Sequence, residues 1–454
     1  MTLQRYRADD PALAALLGNA QQRFDRMLAE ANEHAGPFYQ KIFGEPLDIP
    51  TAVDRIIAEV ATEGDAALCH YNERFDGSTL PASELRVPAT EITAAWQTIP
   101  GALQKALSHA TEQITAYQRR LLPQGYGSED WQALDVRWTP LDRVGAYVPG
   151  GAGGSLPLCS TVLMNLVPAG VAGVGSRAVV TPPRADGSVA PELLAACHVA
   201  GVDEVYRVGG VQAIAALACG TATIPRVDKI VGPGNLFVTI AKRQVYGRVD
   251  IDMLAGPSEV LVIADDSAEP AWVAADLLSQ AEHDPLAMAI LLTTDAAVAD
   301  AVDVAVAEQL ATLPTERRTV AVESVRRFGL AIVAADEAEL LATANRIAAE
   351  HLEIITTRPA ELARGIRHAG AIFLGPWSPE PIGDYVAGPS HTLPTGGSAR
   401  MWSGIGADTF LKRSSIIQLD QAGFRDLAES AMRLAGAEGL EAHRRSIAIR
   451  LQDG

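Results

Sequence analysis

Gln280 and His283 stand three residues apart at the end of an amphipathic run that Asp284-Pro285 stops. On a helix that spacing puts both side chains on one face. Paired ligands at such a spacing, aimed into a pocket, are a recurring way to hold a divalent metal. A helix-end histidine that only makes a hydrogen bond fits the stretch as well. Glu350-His351 follows, and then Gly383-Asp384-Tyr385 with Ser390-His391. A carboxylate beside an imidazole is the usual acid–base pair near neutral pH. At a turn from helix to strand both can reach one cleft, whereas a histidine resting on a helix dipole is the plainer use of the same position. Asp384 and His391 fall in an irregular stretch punctuated by Pro and Gly, the kind of segment that carries function. His34, His70, His109, His198 and His368 lie in helical stretches without such company and read as structural or exposed.

Three glycine-bearing turns follow apolar runs: Tyr147-Val148-Pro149-Gly150-Gly151 and onward to Ser155, Val208-Gly209-Gly210-Val211-Gln212, and Val231-Gly232-Pro233-Gly234-Asn235. Glycine lets backbone N–H groups come close to an anion or a nucleotide. None fits the G-x-G-x-x-G dinucleotide fingerprint. In open α/β sheets ligands gather at the carboxyl ends of strands, so three such turns point to one shared cleft. Ordinary turn chemistry accounts equally well for the latter two, whereas a loop as glycine-rich as the first usually does more than connect.

The elements that position these residues come from the apolar pattern. Short apolar runs at 144–148, 178–181, 204–208 and 229–231 alternate with helical stretches. The alternation restarts at 259–264, 289–293, 330–334, 353–356 and 371–374. This rhythm marks parallel sheets covered by helices. The expected fold is α/β, with two incomplete Rossmann-like parallel-sheet domains and small helical N- and C-terminal segments. We divide the chain into a helical extension at 1–45, a first α/β domain at 46–142 plus 257–395, a second at 143–256, and a helical C-terminal segment at 396–454. The stretch 91–121 reads as one long helix.

A chain of 454 residues with 48% hydrophobic residues can bury more than one core. Its net charge of −18 argues against a nucleic-acid partner, which needs clustered Lys and Arg. Cys69, Cys159, Cys197 and Cys219 show no CxxC pairing, so neither a disulfide framework nor a thiolate zinc site is expected. Reduced cysteines, an N-terminus without a signal-peptide pattern and no membrane-length apolar run point to a cytoplasmic protein.

In their order along the chain these segments resemble the histidinol dehydrogenase family. The resemblance starts at Ala52-Val53-Asp54-Arg55-Ile56-Ile57 and Glu63-Gly64-Asp65-Ala66-Ala67-Leu68. It continues through Tyr147–Gly151, Val231–Asn235, Ala255-Gly256-Pro257-Ser258-Glu259-Val260-Leu261 and Ser279-Gln280-Ala281-Glu282-His283. It then takes in Glu350-His351, the 383–395 block and Leu411-Lys412-Arg413, and ends at His443. The resemblance implies oxidation of L-histidinol to L-histidine through the aldehyde, with NAD and Zn2+, in a homodimer with shared active sites. It also implies roles. Gln280, His283 and Asp384 would hold zinc from one subunit, with His443 from the other. Glu350 and His351 would be the acid–base pair. Tyr147, Gln212 and Asn235 would bind the cofactor, and Ser258, His391 and Glu438 the substrate together with the zinc ligands.

Three features depart from the family's pattern. The glycine-rich loop after Tyr147 is longer than usual, residues 1–45 are longer and less recognisable, and Ser390 and Thr392 stand where Asn and Val are usual. A related zinc and NAD enzyme for another small alcohol, such as a sulfonated propanediol, would share the fold. A metal-dependent hydrolase without a dinucleotide is the alternative of another class.

Overall fold

The computed structural model describes residues 2–130, 132–150 and 157–452. The chain divides into two compact units, Met1–Leu121 with Leu141–Phe410, and Leu122–Pro140 with Leu411–Gly454.

The first unit opens with β1 (Gln4–Arg7), α1 (Pro11–Leu17), α2 (Ala20–Phe43), α3 (Ile49–Glu63), α4 (Asp65–Tyr71), α5 (Ala89–Thr98) and α6 (Gly101–Gln118). The chain then leaves for β2 (Leu134–Pro140) of the second unit and returns as β3 (Arg143–Tyr147). The first α/β half continues with α7 (Cys159–Val171), β4 (Ser176–Thr181), α8 (Pro191–Val199), β5 (Glu204–Arg207), α9 (Gly210–Cys219), β6 (Lys229–Val231), α10 (Leu236–Val245) and β7 (Asp250–Ile251). The other half runs β8 (Glu259–Ala264), α11 (Pro270–Ala281), β9 (Met288–Thr293), α12 (Ala296–Thr312), α13 (Thr315–Phe328), β10 (Gly329–Val333), α14 (Glu337–Ile347), β11 (His351–Ile355), α15 (Pro359–Ala363), β12 (Ala371–Leu374) and α16 (Glu380–Tyr385).

The two expected parallel sheets are present. One has five strands in the order β5-β4-β3-β6-β7, the other six in the order β1-β10-β9-β8-β11-β12. Every pairing within them is parallel. Strands β8 and β9 are buried along their whole length, which is why they read as continuous apolar runs rather than alternating ones. Helices α11, α12 and α13 cover one face of the six-stranded sheet, and α1 and α14 the other. Each fully buried Leu, Ile or Val there contributes about 1.5–3 kcal/mol.

Several helix starts were written locally. Asp48, Asn235, Asp295 and Asp336 each accept a backbone N–H at the head of their helix. Pro100 splits the expected long helix at 91–121 into α5 and α6.

The N-terminal segment is not only helical. Residues 4–7 form β1, an edge strand paired with β10, with Gln4 opposite Leu330. The packing also divides the chain differently from our sequence reading. Helices α3 and α4 share a core with the five-stranded sheet and α9, so they go with 143–256 rather than with 257–395. The second unit contains β13 (Leu411–Ile417), which pairs antiparallel with β2, so Lys412-Arg413 lies in a strand. It ends in α17 (Gln421–Ala437) and α18 (Glu441–Ala448), while residues 396–410 belong to the first unit.

At the carboxyl end of the five-stranded sheet the backbone turns tightly. Gly232 has φ +105°, and a Cβ there would lie 2.2 Å from the Tyr147 carbonyl oxygen. Its carbonyl accepts from Lys242 Nζ at 3.0 Å and its N–H donates to Asp252 at 2.8 Å. Gly232→Ala is expected to cost about 1–3 kcal/mol through backbone strain and clash. A urea midpoint equal to that of the parent protein would show that this turn relaxes freely.

Candidate active site

The amino ends of β8 and β11 lie side by side, with His351 opposite Val260. This register sets Glu259 against the acid–base candidates. The Glu259 N–H donates to Glu350 Oε2 at 3.0 Å. The Glu259 carbonyl lies 3.3 Å from His351 Nδ1. A carbonyl only accepts, so Nδ1 carries the proton and Nε2 is left for chemistry. Nε2 points at Asp384 Oδ1, 3.3 Å away, an ionic approach rather than a well-aligned hydrogen bond. Chain geometry prepares this entry. Helix α14 is capped just past its end by Ala348 with φ 51°, the lone non-glycine positive φ among the described residues. Such a conformation costs about 1–2 kcal/mol and is typical of sites that must aim a side chain.

Helix α11 ends at Ala281, placing fully buried Gln280 in its last turn and His283 just beyond. Gln280 Nε2 lies 3.2 Å from His283 Nδ1, and Gln280 Oε1 is buried without a hydrogen-bond partner. An orphaned amide oxygen costs about 1–3 kcal/mol, and a cation offsets that cost. Asp384 sits in α16, and its backbone carbonyl fixes His391 Nδ1 at 3.1 Å. Oxygen from Gln280 and Asp384 with imidazole from His283 is a donor set that suits zinc.

Burial pushes the His283 and His391 imidazoles below their ordinary proton affinity, favouring the neutral form a metal or substrate needs. Burial would also lower His351, but Glu350, Asp384 and Glu380 outweigh it and raise it. Glu350 is raised by burial, against the opposing pull of His351. Burial would raise Asp384 as well, yet His351, with His391 and His283, holds it below the usual carboxylate range.

Glu380, Asp384 and His351 bring ligand atoms within 4.8 Å of one another; of the three, sequence reasoning missed Glu380. Glu380 heads α16. Its N–H donates to Glu353 Oε1 and its Oε2 accepts from Ser279 Oγ at 2.9 Å, tying α16 to β11 and α11. The available signal was Glu353, one charge inside the apolar run His351-Leu352-Glu353-Ile354-Ile355. A charge in a fully buried strand must be paired or neutral.

In the five-stranded half, Tyr147 is buried at the end of β3 and its hydroxyl accepts from the Gly210 N–H at 3.3 Å. Burial raises its phenol to about 12. Gln212 is fully buried, with Nε2 near Asn72 Oδ1 at 3.4 Å and Oε1 unpartnered. Asn235 caps α10, its side chain accepting from Val238 N at 3.1 Å, so the turn-chemistry reading holds for that oxygen. The longer glycine loop at 151–156 lies outside the described residues. Ser258 immediately precedes β8. Thr392 Oγ1 reaches Asn165 Oδ1 at 3.3 Å, joining the 390s segment to α7. Gln280, His283, Glu350, His351, Asp384 and His391 therefore come together at the amino ends of the six-stranded sheet. Glu438 and His443 lie in the second unit, at the end of α17 and in α18, and both are exposed.

Residues 45–451 match the family profile described as histidinol dehydrogenase. The chain belongs to the histidinol dehydrogenase family. A histidinol dehydrogenase of Synechococcus sp. is 52% identical over 403 residues, covering 88% of this chain and 92% of that one. One from Rhizobium meliloti is 52% identical over 409 residues, covering 90% and 93%. The crystal structure of histidinol dehydrogenase from Elizabethkingia anophelis superposes with a TM-score of 0.87 at 34% identity, covering 99% of this chain and 98% of the other. As a family member the protein is an oxidoreductase of histidine biosynthesis that oxidises histidinol, with NAD and Zn2+ as the family's cofactors and a dimer as its assembly. No helix among the described residues is long and apolar enough to cross a membrane.

The buried carboxyls near this site leave a signature in stability. Glu353 is raised by burial first and by Asp276 next. A carboxyl whose folded pKa lies above its unfolded value of about 4.3 binds more protons when folded, so it costs stability progressively as pH rises above that value. Glu353→Gln removes this penalty. The variant should gain stability relative to the parent between about pH 5 and 8, measured by urea unfolding at several pH values. A constant difference across that range would mean that Glu353 is charged in the folded protein.

Proposed function

We propose that Glu350 and His351 divide the proton chemistry of a two-step oxidation of L-histidinol through the aldehyde. The observation that carries this reading is the double backbone anchor from Glu259, which frees His351 Nε2 in a buried pocket beside Asp384. In its neutral form His351 takes the proton of the substrate hydroxyl at Nε2; the surrounding carboxylates that raise its proton affinity make it a strong acceptor, and the Nδ1 contact keeps Nε2 aimed. Glu350 accepts a proton from the water that adds to the aldehyde. Its raised proton affinity suits a base that must also release the proton near neutral pH. Gln280, His283 and Asp384 would hold the metal from one chain, and His443 of a second copy would complete the set. Zinc, when bound, supplies a Lewis acid that holds and orients the substrate.

Tyr147, Gln212 and Asn235 line the cofactor side, with the unpartnered Gln212 Oε1 as the group most in need of a ligand contact. His391, Ser258 and Glu438 read the substrate. Ser390 and Thr392 are buried and bonded within their own segment and to α7, so their departure from the family's residues supports the loop rather than the substrate. The four cysteines are free thiols, which supports a reducing, cytoplasmic setting.

The test is NADH formation from L-histidinol and, separately, from the aldehyde. Glu350→Gln should lose about 10²–10⁴-fold in aldehyde oxidation and less in alcohol oxidation, while His351→Asn slows both. Equal losses for Glu350→Gln in both half-reactions would remove the division of roles. Turnover only with another alcohol would move the substrate.

Shared sites are supported by exposed apolar side chains next to Asp384, among them Trp377, Ile382 and Tyr385, which a second copy would cover. Mixing a His443→Ala chain with a Glu350→Gln/His351→Asn chain, each inactive alone, should restore activity as subunits exchange. Mixed dimers that form and stay inactive would count against a shared site.

A further inference from the structure

Glu259 does more than offer its backbone to Glu350 and His351. Its side chain is buried at 1% exposure, inside the protein half that carries the site. Burial raises its proton affinity, and the nearby Arg23 charge opposes that rise. Arg23 Nη1 meets Glu259 Oε2 at 2.8 Å, and the Gly397 N–H donates to Glu259 Oε1 at 3.2 Å. Arg23 is itself held. Its Nε donates to the Leu17 carbonyl, and it lies in the first turns of α2, whose start is fixed by the reciprocal Asn19 and Gln22 capping bonds. Breaking a buried ion pair from one side leaves an uncompensated charge, a far larger loss than the pair's net worth. Here the stranded charge would sit on the residue whose N–H and carbonyl aim the acid–base pair.

We propose that Arg23 is a positioning residue for catalysis, acting through Glu259 on Glu350 and His351. It comes from the N-terminal extension, outside the family-matched residues 45–451. The proposal rests on the reading of Glu350 and His351 as the acid–base pair. It gives the extension a task in the reaction. With the Arg23 guanidinium in place, Glu259 stays a carboxylate that also holds Gly397 and keeps the start of β8 in register with β11. Without it, Glu259 must take up a proton or turn toward water, and either response moves the backbone beneath the catalytic pair.

The test uses the full-length enzyme supplied with zinc and NAD. Arg23→Met should lower kcat by about 10- to 100-fold with KM for histidinol nearly unchanged, because a displacement of about 1 Å at a catalytic group costs that much. Arg23→Met/Glu259→Gln should recover kcat relative to the single variant, since a neutral amide needs no buried counter-charge. A folded Arg23→Met with parental kcat, or a double variant no more active than the single one, overturns the proposal. Should Arg23→Met fail to fold, Arg23→Lys decides: a lowered kcat at unchanged KM supports the role, and parental kcat overturns it. Glu350→Gln run alongside separates the two readings. Full turnover there would sink the assignment of the pair itself. An impaired Glu350→Gln beside an unimpaired Arg23→Met would sink only the part assigned to Arg23.

Discussion

The parallel pairing of β8 with β11 is the constraint on which the site depends. It sets one residue, Glu259, against two, so that its N–H donates to the Glu350 carboxylate and its carbonyl faces the His351 ring. Backbone groups in the middle of a sheet are the least mobile donors and acceptors a protein has. Proton chemistry placed on them inherits that stiffness. Elements that carry the other groups are shorter and looser in kind. Asp384 rides on a six-residue helix, and His283 follows the last turn of α11. Both are tied back through side chains, by the Ser279–Glu380 and Glu353–Glu380 contacts.

Buried charge is the cost of this arrangement. Glu259, Glu350, Glu353 and Glu380 are all nearly inaccessible to water. Each is handled differently: Glu259 by an arginine, Glu350 by a backbone N–H and an imidazole, Glu380 by a serine hydroxyl, and Glu353 by raised proton affinity. Desolvation of a lone carboxylate runs to several kcal/mol, so none of these devices is optional. The same low-dielectric surroundings strengthen the fields that a proton-transfer site uses.

Much of this was legible in the sequence. The apolar runs located the strands of both parallel sheets apart from β1 and β7, because a strand buried on both faces has no polar alternation to confuse the reading. Gln280, His283, Glu350, His351, Asp384 and His391 stood out by type and spacing, and the fold gathers them. What escaped depended on partners far away in the chain. Residues 4–7 have no apolar run of their own and become a strand only because β10 offers an edge. The pairing of β2 with β13 joins segments about 270 residues apart in number and depends on a register that no local pattern announces. Arg23 and Glu380 drew no notice, since a charged residue in a helix is ordinarily a solvated one. The grouping of α3 and α4 with the five-stranded sheet was set by packing rather than by their order in the chain.

The edge strand β1 also bears on how the molecule is made. Gln4 pairs with Leu330 and Arg7 with Val333. Residues 4–7 therefore wait for more than three hundred later residues to be made before their own partners exist. Contacts of such sequence separation form slowly, since a very large loop must close first. Until then β10 presents an open rim, the kind of template that recruits strands from other chains. Synthesis of this protein thus passes through a late, association-prone stage that ends when β1 docks, which is the stage a chaperone would have to cover.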